Sequence, residues 1–228
     1  MNILITKTLT KQQKDWLSAS FNEFNFSEEA LINSYQHSYE HFVNNYIDKL
    51  ATCKQWIFTS RNAVKAVANY QLEFPKTVYA VGSKTAAALQ ELSCEAITPL
   101  IENAKALAST IIEKNTSKEK MAFFCGNMRR NELPEALNKA GIPFEELLVY
   151  STTSLSKKIN TSAYDILFCL SPSAVESFAS SHTFPSHIHY IAIGPTTAQA
   201  LQKHKIKHLH TAKKPNIEKM MDEAVKLK

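Results

Sequence analysis

The chain has 228 residues, 44% of them hydrophobic and 21% charged, with a formal net charge of +5 and four cysteines. That composition excludes wholesale disorder, and no apolar run reaches the ~18 residues a membrane-spanning helix needs. The basic excess favours anionic partners but is too mild to announce nucleic acid. Cys53, Cys94, Cys125 and Cys169 lie far apart without a CxxC pair, and no secretory apolar segment appears, so free thiols in a reducing cytoplasm are expected. A chain of this length exceeds the usual single domain, and two small domains are expected.

In chain order, NILITKTL at Asn2 to Leu9 reads as a first strand, followed by the polar, helix-like KQQKDWLSASFNEF. WIFTSRNAVKAV, from Trp56 to Val67, is a strand entering a turn with Thr59, Ser60 and Arg61, then a helix. VYAVGSKTAAALQEL, from Val78, is a second strand whose turn holds Gly82 and Ser83. MAFFCGN is a strand reaching Gly126, followed by the basic GNMRRNEL with Arg129 and Arg130 and by the helix NELPEALNKAG, which should stop at Gly141. FEELLVYSTT, carrying Tyr150, is extended again. LFCLSPSAVESF holds Ser171 and Ser173 at a strand-to-helix turn, and HYIAIGPTTAQALQKH holds Gly194, Thr196 and Thr197 at the next.

The last two segments echo two earlier ones. Ser60 matches Ser171, Ala63-Val64 matches Ala174-Val175, Gly82 matches Gly194 and Thr85 matches Thr197, at an offset of about 112 residues. A repeat of that length is two copies of one domain design rather than a solenoid unit. Strands alternating with helices imply parallel sheets covered on both faces, hence an α/β chain with two doubly wound domains. The second copy has little before it to complete its sheet, so the first strand and helix are expected to join it. Domain 1 is then discontinuous, 1–35 plus 153–228, domain 2 is 38–148, and 33–40 and 148–153 are linker strands forming a hinge. The turns should lie at the carboxyl edges of the sheets, where open α/β folds bind ligands, facing a cleft.

Each turn admits two readings. Gly, Pro195 and the hydroxyls can simply turn and cap a helix, or the helix N-terminus can hold an anion. A guanidinium such as that of Arg61 can fork onto a carboxylate or stand in water. Dinucleotide and P-loop fingerprints are absent, as are GxSxG and a recognisable triad spacing. His187-x-His189, His208-x-His210 and His37-x3-His41 invite a metal, but no acidic or cysteine ligand completes a usual set nearby, and no metal site is expected. KHKIKHLH reads instead as an exposed helix end and an edge strand, and the basic tail lacks the aromatic interleaving of a nucleic-acid grip. Tyr150 sits on a domain crossing, where a phenol can serve a departing oxygen or merely pack.

Together, NILITK, IFTSRNAV, AVGSKTAAAL, LLVYST, ILFCLSPSAV and above all IAIGPTTAQAL resemble the uroporphyrinogen-III synthase family over nearly the whole chain. Lys7-Thr8 stands where that family often has Arg-Pro. The resemblance implies two flavodoxin- or Rossmann-like domains on a two-strand hinge and a cytoplasmic, cofactor-free monomer of tetrapyrrole (heme) biosynthesis. Its reaction would be cyclisation of hydroxymethylbilane, with loss of water and inversion of ring D, to uroporphyrinogen III. It also implies that Tyr150 assists hydroxyl departure. Substrate carboxylates would be held by Ser171, Ser173, Gly194, Thr196 and Thr197 from domain 1, and by Thr59, Ser60, Arg61, Gly82, Ser83 and Gly126 from domain 2. The alternative is a non-catalytic binding or regulatory protein that closes on an acidic small molecule.

Overall fold

Buried on both sides, a parallel strand loses its polar alternation, and QWIF, MAFFCG and ILFC are buried at every position. A computed structural model describes residues 1–228. Its elements run β1 (Asn2–Ile5), α1 (Lys11–Ser20), β2 (Asn25–Glu28), β3 (Ile32–Gln36), α2 (Tyr39–Ala51), β4 (Gln55–Phe58), α3 (Arg61–Asn69), β5 (Thr77–Ala80), α4 (Ser83–Gln90) and α5 (Ala104–Lys114). They continue with β6 (Met121–Gly126), α6 (Glu132–Lys139), β7 (Phe144–Ser154), β8 (Ile166–Cys169), α7 (Pro172–Ala179), β9 (His189–Ala192), α8 (Pro195–Gln202), β10 (Leu209–Thr211) and α9 (Ile217–Val225). The chain divides into unit 1, Met1–Asn33 with Thr153–Lys228, and unit 2, Ser34–Thr152.

Unit 1 holds the sheet β10-β9-β8-β1-β2, every pair parallel. Counted within the unit this is the 2-1-3-4-5 order of flavodoxin-like folds. Ile3, Ile5, Phe168 and Ile191 point to one face, against Leu17 of α1 and Met220 and Met221 of α9. Leu4, Leu167, Cys169 and Tyr190 point to the other, against Val175 and Phe178 of α7 and Leu201 of α8. The two-residue period of a strand makes this division.

Unit 2 holds β3-β7-β6-β4-β5, with β5, β4, β6 and β7 parallel. Trp56, Phe58 and Phe124 face Phe42, Val64, Val67 and Leu89 of α2, α3 and α4. Ile57, Tyr79 and Phe123 face Leu107 and Ile111 of α5 and Leu133 and Leu137 of α6. Both sheets are therefore doubly wound. Beside β7, β3 runs antiparallel: His37 N–H donates to Val149 O at 2.9 Å and Leu155 N–H to Leu31 O at 2.8 Å, so one partner number rises as the other falls.

The two units share one plan opened at different points. Ile97 pairs in parallel with Tyr79 beside β5, as β10 does beside β9. Reading β4-α3-β5-α4-Ile97-α5-β6-α6-β7 against β8-α7-β9-α8-β10-α9-β1-α1-β2 superposes the two spatial orders. Unit 1 is thus a circular permutation of unit 2, its last two strands supplied from the chain's other end.

Some boundaries differ from the sequence expectation. The first strand stops at Ile5 rather than Leu9: Thr6 folds its hydroxyl back onto Phe168 O at 2.8 Å, and Thr10 then opens α1 with a capping box to Gln13. The stretch 37–40 is not a continuous extended linker, because Ser38 accepts from His41 N at 3.1 Å and α2 begins at Tyr39. Gly141 does end α6, in the left-handed region at φ 66°.

Phe124 is fully buried, stacked on Phe58 with centroids 5.0 Å apart and edge-on to Trp56 at 4.9 Å. Phe124→Ala should cost about 3–5 kcal/mol, read as a lowered urea midpoint; a loss under about 1 kcal/mol would show that this aromatic stack is not the centre of unit 2.

Candidate functional site

Because parallel strands all point one way, the turns after β4, β5, β6, β8 and β9 lie at the carboxyl edges of their sheets. Four of these turns lead directly into α3, α4, α7 and α8, and the first N–H groups of each helix have no partner inside it. In α3 the donor of Asn62 is satisfied by Ser60 Oγ at 3.1 Å. In α7, Ser171 Oγ accepts from Ala174 N at 3.1 Å and lies 3.0 Å from Ser173 Oγ. These serines are therefore caps first, and their half-buried hydroxyls keep spare capacity toward the edge.

Gly82 and Gly194 cap α4 and α8 without a side chain. Their φ values of 177° and −178° are extended backbone open to any residue, so the turns do not require glycine for conformation, contrary to the reading from sequence. What Gly82 provides is room. A Cβ there would meet Glu102 Cδ at 2.7 Å, and the Glu102 carboxylate accepts from Ser83 N–H at 2.9 Å. The Ser83 hydroxyl and then its N–H hold the Glu102 carboxyl below the usual range. Spacing alone gives no signal for this contact, because it depends on the path of the loop before α5. Around Gly194 an added Cβ meets nothing within 4 Å, so this turn is open.

The repeated threonines separate in role. Thr196 and Ser83 are exposed, whereas Thr197 and its counterpart Thr85 turn inward, 1% and 5% exposed. The Thr197 side chain is packed within unit 1 rather than displayed at the turn. Arg61 is exposed at the first position of α3, and Thr59 is half-buried just before it.

A tighter arrangement surrounds Tyr150. The β6–β7 register slips so that Cys125 faces Leu148 while Gly126 faces Tyr150. The phenol ring then lies over Gly126, where a Cβ would come within 2.4 Å of Cζ. Only glycine allows that approach. Burial pushes the Tyr150 phenol above its ordinary pKa, partly offset by the adjoining Ser60 hydroxyl. Ser60, Gly126 and Tyr150 are thus brought together, and the phenol remains protonated at neutral pH. It is a weaker acid than a free tyrosine and serves as a hydrogen-bond donor rather than a ready proton source.

Asn127, not singled out in the sequence, fixes this corner. Its Nδ2 donates to Thr152 O at 3.1 Å and its Oδ1 accepts from Thr152 N at 2.7 Å, prolonging the β6–β7 ladder through a side chain. Arg129 is not held out for a ligand, because its Nε–H donates to Glu146 Oε2 at 2.8 Å. Arg130 is exposed, 3.7 Å from Glu132. His37, on the β3 side, meets Leu148 O at 3.1 Å and Ser151 Oγ at 2.8 Å; burial first, then His41, depresses its pKa.

Fold and turns together define an α/β protein of two doubly wound units with helix N-termini and hydroxyls gathered at the strand ends. Its family follows from comparison: residues 24–222 match the model of uroporphyrinogen-III synthase HemD, and the chain belongs to that family. A porphyrin biosynthesis protein HemD from Ruminiclostridium josui is 27% identical over 157 residues, 64% of this chain and 31% of the relative, so the chain spans about a third of that protein. The crystal structure of uroporphyrinogen-III synthetase from Helicobacter pylori is similar over 100% of this chain and 99% of its own, with a TM-score of 0.68 and 21% identity. A mutant uroporphyrinogen III synthase from Thermus thermophilus is similar over 99% of this chain and 98% of its own, with a TM-score of 0.76 and 14% identity. At those identities the likeness is one of fold. No helix is long and apolar enough to cross a membrane.

Gly126, under the Tyr150 ring, and Gly194, in open space, generate opposite expectations. Gly126→Ala should displace the Tyr150 ring and cost about 1–3 kcal/mol, while Gly194→Ala should stay within about 0.5 kcal/mol of wild type; urea unfolding of the two variants checks the contrast, and equal stability would mean that the Tyr150 approach is relaxed in solution.

Proposed function

We propose that the chain is a uroporphyrinogen-III synthase, closing hydroxymethylbilane to uroporphyrinogen III with loss of water and inversion of ring D. Family membership across residues 24–222 is the observation that carries this reading. The substrate bears eight carboxylates, which suits a chain of net charge +5 with several helix N-termini at its strand ends. On the same reading the enzyme works as a cytoplasmic monomer without a cofactor.

In this proposal, Gly194 and Thr196 with Ser171 and Ser173 in unit 1 hold one set of acetate and propionate groups. Thr59, Ser60, Arg61, Gly82 and Ser83 hold another in unit 2. Each carboxylate at a helix end gains about 0.3–1 kcal/mol from the dipole and about 1.5–3 kcal/mol per charge-assisted hydrogen bond. At α4 the arriving carboxylate takes the place on the Ser83 N–H now held by Glu102. The Tyr150 phenol donates a hydrogen bond to the departing hydroxyl, which leaves as water with the proton that the adjoining pyrrole N–H gives up, and this generates an electrophilic azafulvene. Attack through the substituted carbon of ring D gives a spiro intermediate that fragments and recloses inverted. Spontaneous closure gives the uninverted isomer, so the protein's task is to control shape and exclude that route.

Purified protein incubated with freshly made hydroxymethylbilane should yield the type III isomer; type I alone would leave a binding protein without this chemistry. Tyr150→Phe should fold normally and turn over about tenfold or more slowly, the worth of one hydrogen bond strengthened in the transition state, and full activity would remove Tyr150 from the mechanism. Glu102→Gln should lower KM severalfold with kcat little changed, because the competing carboxylate is gone; an unchanged KM would show that substrate does not use the α4 terminus.

A further inference from the structure

Three histidines left out of the tetrapyrrole chemistry converge in unit 1. In the parallel β9–β10 ladder Leu209 pairs with Tyr190 and His210 with Ile191, which sets His208 opposite His189. His208 and His210 are two apart in an extended run and share a face, so all three rings project from the same side of adjacent strands. The contacts agree: the His189 and His208 centroids are 4.8 Å apart, those of His189 and His210 5.4 Å, and His189 Nδ1 lies 3.1 Å from His210 Nε2. That face is the one covered by α9, whose Glu223 and Lys226 act on His210 and pair with each other at 2.6 Å.

We propose that His189, His208 and His210 form a binding site for one imidazole-seeking divalent ion of the zinc, nickel or copper class. Two nitrogens bound tetrahedrally to zinc at ~2.0–2.1 Å are separated by about 3.4 Å, close to the distance already present between His189 and His210. As the rings stand, no group of three His, Cys, Asp or Glu side chains is arranged to hold a metal ion; binding requires the half-buried His208 ring to rotate and the bridging hydrogen to move to a far ring nitrogen. Solvent supplies the remaining position. The Glu223 carboxylate, whose charge acts on His210, partly offsets the metal's charge. Oxygen-preferring calcium and magnesium fit poorly.

His189 begins β9, whereas Gly194 follows its end. The cluster therefore lies at the amino-terminal edge of the sheet, away from the turns assigned to substrate, and the inference is independent of the proposed reaction. What a metal would do here is tie edge strand β10 to β9. The chain-order reading lacked this grouping because His189 and His208 become neighbours only through strand register.

The test is calorimetric titration of untagged full-length protein with zinc chloride and, separately, nickel chloride. One equivalent should bind and raise Tm, with affinity falling at least about tenfold in His189→Gln and His210→Ala but not in His41→Ala, a histidine of unit 2. Zinc-induced shifts of the imidazole nitrogens in 15N-histidine-labelled wild type provide a second reading that needs no variant. Absence of saturable binding, affinity retained in both His189→Gln and His210→Ala, or shifts confined to other histidines would overturn the proposal.

Discussion

A parallel sheet sends every strand to the same edge, and a strand that hands over directly to a helix leaves that helix's first N–H groups without partners. The candidate site is the set of answers to that constraint. At α3 and α7 the answer is a serine hydroxyl from the turn itself. At α4 it is a carboxylate brought from Glu102. At α8 no capping side chain reaches in and the space around Gly194 is open. The turns thus form a graded series, from self-satisfied to free, although the sequence writes them as matched pairs. Within unit 2, Tyr150 joins the carboxyl edge of its own sheet by another route, a register slip that lays its ring on Gly126.

Much of the fold was legible because its signals are local. Apolar runs ending in Ser or Gly, followed by helical periodicity, locate β4, β5, β8 and β9 and their helices. The echo between Ser60 and Ser171 and between Gly82 and Gly194 exposes the duplicated design. Permutation explains why the echo stops there: adding the same offset to Met121 runs past Lys228, since the counterpart of β6 is β1 at the other end of the chain. A scan at a single spacing aligns only the portion whose order the two units share.

The site was legible as positions more than as contacts. Residue type and turn placement bring out Ser60, Gly82, Ser171 and Gly194, but cannot separate exposed Thr196 from buried Thr197, which differ by one helical step. Nor can they reveal Glu102 on Ser83, the Asn127 clasp on Thr152 or the Arg129–Glu146 pair, because each joins residues distant in sequence through a tertiary path. The same limit applied to the histidines, since His189 and His208 become neighbours only through strand register.

Inserting β1 between β2 and β8 also sets a timetable. Ile3 pairs with Ile166, 163 positions later (166 − 3), so at ~5–20 residues per second β1 emerges about 10–30 s before its partner. All of Ser34–Thr152 is made within that interval and can fold while the apolar NILI segment waits. The permuted unit therefore lengthens the time its N-terminal strand spends exposed during synthesis, when a chaperone that shields short apolar segments has most to offer.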